Sequence, residues 1–399
     1  MITCRICKTD LNNSKETLTL PRCPLTDQFV KPNSENKQLI EDVKIYCCES
    51  CGFIQNPNNI DYQVYYEDYE YTSAESTHAH NFMNEYAKLA NKIYMRLNNK
   101  SASKVIEPGS GDGTQLHYFK EKGCNVVGIE PSENLAKKAE SRGITTIKAL
   151  FDKRILEKVS SNFDICISSY TLDHCPDPLE YLLTANRLLN HNGLCIFEVH
   201  DYDKIYERSE YCLFEHEHTI YLNARKAIEL SKSCGFDIVE VNPLADDKCR
   251  ANSLIIVAKK VKDAGKENIN VNSSKETSNQ SGLNRLQSKV TKFIDRIDNW
   301  INKTEGVIVG YGAGGRGVMT LAQLSNSSRI KAILDVAFDD RVLLTPKTLI
   351  QIYGPSDFTK FKDASVIVFS YGYFKEIKSR LVEEGYKAER IISLQEFMD

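Results

Sequence analysis

The chain has 399 residues, is 41% hydrophobic and 26% charged, and carries a formal net charge of −3. That length allows two or three domains, and the composition is globular rather than disordered. The near-neutral balance offers no general attraction to nucleic acid or an anionic membrane, and no apolar run reaches spanning length. The N-terminus, Met1-Ile-Thr-Cys4, lacks the basic-then-apolar order of a secretory signal, so a cytoplasmic location is expected.

The first chemistry-bearing residues are cysteines. The chain has 13, an odd number spread unevenly, which argues against a disulfide framework. Cys4-Arg-Ile-Cys7 and Cys48-Glu-Ser-Cys51 form two C-x2-C knuckles about forty residues apart. Four thiolates at those spacings close a tetrahedral zinc site with no open position, a structural role; buried free cysteines are the alternative. Cys23 and Cys47 fall out of phase and read as bystanders. This zinc-binding domain is expected over residues 1–62. A tyrosine-rich stretch follows, with tyrosines at 62, 65, 66, 69 and 71. It reads either as a linker packing its rings on the next domain or as a substrate lid, with Tyr69 or Tyr71 pointing into a site.

Helical periodicity over about 81–100 leads into the most informative stretch, Val105-Ile-Glu-Pro-Gly-Ser-Gly-Asp-Gly-Thr114. It reads as strand, glycine turn, helix, with Glu107 ending the strand and Gly109, Gly111 and Gly113 in the turn. A dinucleotide turn has the order G-x-G-x-x-G; here a carboxylate precedes alternating glycines, and no basic residue is present to meet a phosphate. The next strand, 125–130, ends at Glu130-Pro131, where a carboxylate can accept both hydroxyls of a ribose. Glu107 facing a cation and Glu130 facing a ribose favour S-adenosylmethionine over NAD. Further strands are expected at 145–148, 163–168, 193–199, 237–242 and 253–259, and helices at about 114–122, 132–141, 178–190 and 224–234. The alternation predicts a mostly parallel sheet with helices on both faces, an α/β fold.

Two segments of this domain, expected over 63–260, carry candidate groups. Ser168-Ser-Tyr-Thr-Leu-Asp-His174 places His174 in a loop after a strand. Phe214-Glu-His-Glu-His218 concentrates ionisable groups beside apolar residues. It reads first as acid–base machinery, since imidazole titrates near neutrality and a carboxylate neighbour sets its tautomer; a metal site or a structural role are the alternatives. A polar Asn-, Ser- and Lys-rich linker is expected over 261–282. Residues 283–399 then read as a helix followed by a second Rossmann-like α/β unit. It opens with Gly310-Tyr-Gly-Ala-Gly-Gly-Arg-Gly317, where Arg316 is a cation at a helix start and Asp335 ends the following strand.

The order of parts resembles the sugar C-methyltransferase family, whose members act on nucleotide-linked 4-keto-deoxysugars. Those parts are the cysteine knuckles, a class I methyltransferase core, an HEHxxY segment (His216 to Tyr221) and a unit opened by YGAGxxG. The resemblance spans nearly the whole chain. It implies that Cys4, Cys7, Cys48 and Cys51 are zinc ligands and that Glu107, Gly109, Gly111, Gly113, Glu130 and Pro131 contact the methyl donor. It implies His218 as base with Glu217, and His174 and Tyr71 as further catalytic groups. Tyr69, Tyr170, Glu215, Tyr221, Tyr311, Gly312 and Arg316 fall on the substrate side. Three departures also fall there: Glu215 stands where the family often has tyrosine, Tyr170 where it has asparagine, and Arg250-Ala-Asn-Ser253 replaces a His-Gly-Gly-Ser stretch.

The resulting expectation is methylation of a carbon next to a ketone on a nucleotide sugar by a monomeric enzyme of deoxysugar biosynthesis. O- or N-methylation by the same core and a non-catalytic nucleotide-binding module are the alternatives.

Overall fold

The computed structural model describes residues 2–398 apart from 34–36, 59, 68, 70–76, 246–247, 251, 262–281 and 339–341. Tyr71 and nearly all of the expected linker lie outside the described residues. The chain divides into two compact units. One comprises Met1–Lys15, Cys47–Ile205 and Glu217–Ser281; the other comprises Glu16–Tyr46, Tyr206–His216 and Gly282–Asp399.

The first unit is built on a seven-stranded sheet. Its strands in chain order are β1 (Lys104–Pro108), β2 (Asn125–Ile129), β3 (Thr145–Ile147), β4 (Phe163–Ser169), β5 (Leu189–His200), β6 (Phe236–Val241) and β7 (Ser253–Lys260). Their spatial order is β6-β7-β5-β4-β1-β2-β3. Strands β1 to β5 run parallel, and β7 pairs antiparallel with both β5 and β6. Near-continuous apolar runs such as Ile165–Ile167 and Leu254–Ala258 are buried, as strands covered on both faces must be.

The helices of this unit are α1 (Thr77–Asn98), α2 (Thr114–Lys120), α3 (Glu133–Ser141), α4 (Pro178–Leu188) and α5 (Ala224–Ser233). Helix α1 lays Phe82, Tyr86, Ala90, Ile93 and Tyr94 against the sheet in one core with Val105, Ile165 and Ile196. Each fully buried side chain of this size contributes roughly 1.5–3 kcal/mol. Gly143 and Gly235 follow α3 and α5 with φ of 71° and 85°, the left-handed helix endings their positions predict. Strand β5 begins at Leu189, where the sequence pattern had carried the preceding helix to 190, and the strand ends at His200. Two residues of the tail before α1, Ile54 and Gln55, pair antiparallel with Tyr221 and Ile220.

The second unit has a six-stranded sheet. Its strands are β8 (Ile308–Tyr311), β9 (Ile330–Leu334), β10 (Leu343–Leu344), β11 (Gln351–Tyr353), β12 (Ser365–Val368) and β13 (Ile391–Ser393), in the order β10-β11-β9-β8-β12-β13. Only β10 is antiparallel to its neighbour. The helices are α6 (Leu283–Lys303), α7 (Gly315–Gln323) and α8 (Phe374–Glu383). Thr17–Pro24 and Ile40–Cys47 add an antiparallel hairpin. Among the described residues no helix is long and apolar enough to cross a membrane.

Candidate active site

The glycine turn leaves the carboxyl end of β1, where an open α/β sheet offers its ligand crevice. Gly109, Gly111 and Gly113 have φ of 65°, 53° and 76°, a region that side-chain-bearing residues avoid. At Gly109 the need is also steric, because a Cβ there would lie 2.4 Å from Thr171 Oγ1. Gly109 N–H donates to the Ile129 carbonyl at 2.8 Å, which ties the turn to the end of β2.

Two carboxylates flank this turn. Glu130 spans two amides, with Oε2 accepting from Gly111 N–H and Oε1 from Ser132 N–H, each at 2.9 Å. Burial pushes its carboxyl up from the usual range, while the two amides favour the ionised form. Pro131 follows, buried, and Ser132 caps α3. Glu107 is 4% exposed. Its Oε1 accepts from Gln115 Nε2 at 2.8 Å, and its Oε2 has no hydrogen-bond partner among the described residues. Burial, then the charges of Asp112 and Glu130, push the Glu107 carboxyl well up. A buried, half-satisfied carboxylate is costly until a cation or donor meets it. S-adenosylmethionine presents both a cationic group and a ribose diol, so the donor set fits it. When bound, it supplies an electrophilic methyl group on a sulfonium.

A cluster of histidines lies at the ends of β4 and β5. His218 is 4% exposed, and its ring centroid is 4.5 Å from that of His174 and 4.9 Å from that of His200. The backbone explains the meeting. Thr219 N–H and Oγ1–H donate to the Asp173 carbonyl at 2.7 and 3.0 Å, pinning the His218 segment to the loop that carries His174. A Glu217 carboxylate oxygen and a His218 ring nitrogen lie within 4.8 Å of each other. Burial, then the neighbouring imidazoles His174 and His200, push His218 down to about 4, so it is neutral at pH 7. Burial likewise lowers His174.

Two members of this cluster carried no signal as a pair. His200 ends β5, and its Nδ1 lies 2.8 Å from Asp173 Oδ2. Burial opposes the charge on Asp173, but the His200 hydrogen bond and the surrounding imidazoles hold this carboxyl well below the usual range. The third missed residue is Tyr66, whose hydroxyl is 2.7 Å from His174 Nδ1. Its helix, Tyr62–Glu67, puts Tyr62, Tyr65 and Tyr66 on one face at i, i+3 and i+4, a spacing visible in the sequence. Tyr69 packs on Tyr66 at 5.4 Å, and its carbonyl accepts from Ser132 Oγ–H at 2.7 Å beside the cofactor turn.

The substrate-side expectations are placed as follows. Tyr170 stacks on His200 at 4.3 Å, with φ of 48°. Arg250 lies over that ring at 5.1 Å from its centroid and pairs at 2.7 Å with the fully buried Glu198. Ser253 also donates to Glu198. The Arg250–Ser253 departure thus brings its own buried counter-charge. Tyr221 is buried 6.2 Å from His218.

In the second unit, Tyr311 is buried in the core, edge-on to Phe358. Gly312 has φ of 104°, and a Cβ there would lie 2.5 Å from Ser370 Oγ. Ala313 N–H donates to Asp335 Oδ2 at 2.7 Å. Glu215 lies against Gly315, where a Cβ would come within 2.4 Å of its Oε1. Arg316 is paired with the buried Glu210 at 3.5 Å and lies 4.3 Å over the Tyr371 ring, whose hydroxyl donates to the same carboxylate. Burial opposes charge on Arg316, but Cys212, Tyr371 and Glu210 raise it on balance.

The four knuckle cysteines converge in the first unit, with all four sulfurs within 4.8 Å of one another. Cys4 and Cys51 sulfurs are 3.5 Å apart, and those of Cys7 and Cys48 are 3.6 Å apart. Sulfurs bound at about 2.3 Å to one tetrahedral zinc are separated by about 3.8 Å, so the set fits the ion. Gln55 Nε2 donates to Cys4 Sγ at 3.1 Å, the kind of outer hydrogen bond that stabilises a thiolate. A zinc ion held by these four sulfurs would have every position taken by protein and would serve a structural role.

Two family models match the segments that carry these residues. Residues 78–241 match a family model described as "Methyltransferase domain", and residues 4–66 match one described as "Putative zinc binding domain". The chain carries a class I S-adenosylmethionine-dependent methyltransferase domain. A relative from Streptomyces niveus, the C-methyltransferase NovU, is 25% identical over 243 residues, covering 60% of this chain and 57% of NovU. The ubiquinone biosynthesis O-methyltransferase of Actinobacillus pleuropneumoniae serotype 7 is 29% identical over 114 residues, covering 26% of this chain and 49% of that protein. Among solved structures, the plantazolicin methyltransferase BpumL in complex with SAH overlaps with a TM-score of 0.39 at 13% identity, covering 47% of this chain and 87% of that one.

Proposed function

We propose that this protein transfers a methyl group from S-adenosylmethionine to a carbon adjacent to the ketone of a nucleotide-linked keto-deoxysugar. The observation that carries the reading is the cluster of His174, His200 and His218 in the same unit as the methyl-donor turn. A hydroxyl or amine acceptor needs little activation. A carbon acceptor must first lose a weakly acidic α-proton, which calls for a base and for donors to the enolate oxygen. One imidazole of the cluster removes the proton. The others, with Tyr66 and Tyr69, hold the oxygen and exclude water. Glu217 orients His218. The carbon reading draws further support from the likeness to a C-methyltransferase, and the sugar from the HEHxxY and YGAGGRG segments.

The test is incubation with ¹³C-methyl-labelled S-adenosylmethionine and a panel of nucleotide-linked 4-keto-deoxysugars. The expected product shows a methyl carbon bonded to carbon, upfield of an O-methyl signal. An O- or N-methyl product, or turnover only with acceptors that lack a ketone, contradicts the reading.

A further inference from the structure

We propose that His200, held by Asp173, is the imidazole that takes the α-proton, and that His218 acts beside it as a neutral hydrogen-bond donor to the ketone oxygen. This rests on the C-methylation reading and names the proton acceptor within it.

The geometry begins with the Asp173 carboxylate. Asp173 is 2% exposed and sits in a 3-10 turn after β4. Its Oδ2 receives both the Nδ1 and the backbone N–H of His200, at 2.8 and 3.3 Å. Its Oδ1 has no hydrogen-bond partner among the described residues. An ionised carboxylate only accepts, so the proton of this bond belongs to His200 Nδ1. In the neutral ring Nε2 is then bare, the form a general base requires. When Nε2 gains a proton, the imidazolium has its counter-charge in contact, an arrangement that orients and stabilises a catalytic imidazole on several unrelated folds.

His218 is surrounded differently. It is buried beside two other imidazoles, with a Glu217 carboxylate oxygen within 4.8 Å of a ring nitrogen; burial first, then those rings, push it down to about 4 against the pull of Glu217 and Asp173. A neutral imidazole is a poor store for a proton but a serviceable donor to a developing oxyanion. The side chain of His200 is also the more accessible of the two, at 16% exposed. The other rings facing His200 are those of His218 and Tyr170, and Arg250, paired with Glu198, lies over the Tyr170 ring.

In the step itself, the C–H bond beside the ketone breaks and its proton bonds to His200 Nε2. The electron pair stays on the sugar as an enolate, whose oxygen accepts from His218. The enolate carbon bonds to the methyl group as the methyl–sulfur bond breaks, leaving S-adenosylhomocysteine. His200 then returns its proton to water.

The test uses the full-length protein saturated with S-adenosylhomocysteine, which blocks methyl transfer. In deuterated buffer with thymidine diphosphate 4-keto-6-deoxyglucose, wild type should take up deuterium at the carbons flanking the ketone. His200→Ala should lower that exchange at least about 100-fold, within the range of a lost general base, and added imidazole should restore part of it. Asp173→Asn should lower it with no rescue. His218→Ala should lower it without rescue by imidazole. His200→Ala exchanging at half the wild-type rate or more, or imidazole rescuing His218→Ala instead, overturns the proposal. A second arm needs no sugar: ¹⁵N imidazole spectra of the same complex should show His200 as the Nδ1–H tautomer, lost in Asp173→Asn. A Nε2–H tautomer in wild type overturns the proposal. If wild type shows neither exchange nor C-methyl product with any keto-sugar, the substrate reading fails and the proton-acceptor assignment falls with it; exchange in wild type that survives His200→Ala overturns the assignment alone.

Discussion

The chain contains two strand–glycine turn–helix motifs built on one backbone plan, and their side chains give them different chemistry. In the first, Glu130 ends the neighbouring strand and accepts from Gly111 and Ser132. In the second, Asp335 ends the neighbouring strand and accepts from Ala313 at 2.7 Å and Ala337 at 3.0 Å. The carboxylate's place is the same in both. The difference lies in the charge left over. The first turn keeps Glu107, buried with one oxygen that has no hydrogen-bond partner among the described residues. The second has Arg316, already committed to Glu210 and stacked on Tyr371. A glycine pattern therefore reports a backbone, while the net unpaired charge beside it reports the ligand. In the proposed function the first turn takes the cation and the ribose of the methyl donor. The second has spent its cation internally, a pairing that the reading of Arg316 as a cation at a helix start did not foresee.

The largest effect that separates the two turns should come from their glycines. Gly109→Ala must displace Thr171 and adopt a left-handed φ, and S-adenosylhomocysteine affinity by calorimetry should fall by about 100-fold or more, as a loss near 3 kcal/mol implies. Gly314→Ala has φ of −68° and open space around its Cβ, so affinity and melting temperature should stay at wild-type values. A smaller contrast should come from the matched carboxylates. Glu130→Gln loses a charge-assisted acceptor and should weaken S-adenosylhomocysteine by about 30-fold, whereas Asp335→Asn should leave it unchanged.

A pH dependence follows from Glu107. Burial and the charges of Asp112 and Glu130 raise its carboxyl, so the free protein retains a proton there above the usual carboxylate range. A cationic ligand favours the ionised form. Binding should release protons, and affinity should rise with pH, by up to about tenfold per unit, until the raised value is passed. Calorimetry in buffers of different ionisation enthalpy reads this directly; proton uptake would contradict it. The smallest effect should come from Arg316→Lys, which keeps a charge for Glu210 but loses the planar stack on Tyr371. It should cost about 1 kcal/mol in denaturant unfolding and leave S-adenosylhomocysteine binding intact.

How much of this was legible in the sequence depends on how local each signal is. The first glycine turn is a short-range pattern, and each C-x2-C knuckle sets its own two ligands locally, although the two knuckles meet across 47 residues between Cys4 and Cys51. The order of strands and helices followed from apolar periodicity, and the main element boundaries agree. What escaped were partners made by topology. Asp173 and His200 stand 27 residues apart and meet because β4 and β5 are parallel neighbours. Glu210 and Arg316 are 106 residues apart. Among the described tyrosines of the stretch, the hydroxyl that meets His174 belongs to Tyr66, a pairing across 108 residues; Tyr71 lies outside the described residues.

The most direct test of the contrast between the two turns is calorimetry of the intact protein with S-adenosylhomocysteine and with NAD, repeated on Glu130→Gln and Asp335→Asn. The expected result is that S-adenosylhomocysteine binds, is weakened only by the Glu130 substitution, and NAD binds weakly or not at all. Tight NAD binding that disappears in Asp335→Asn, with S-adenosylhomocysteine silent, would contradict the account.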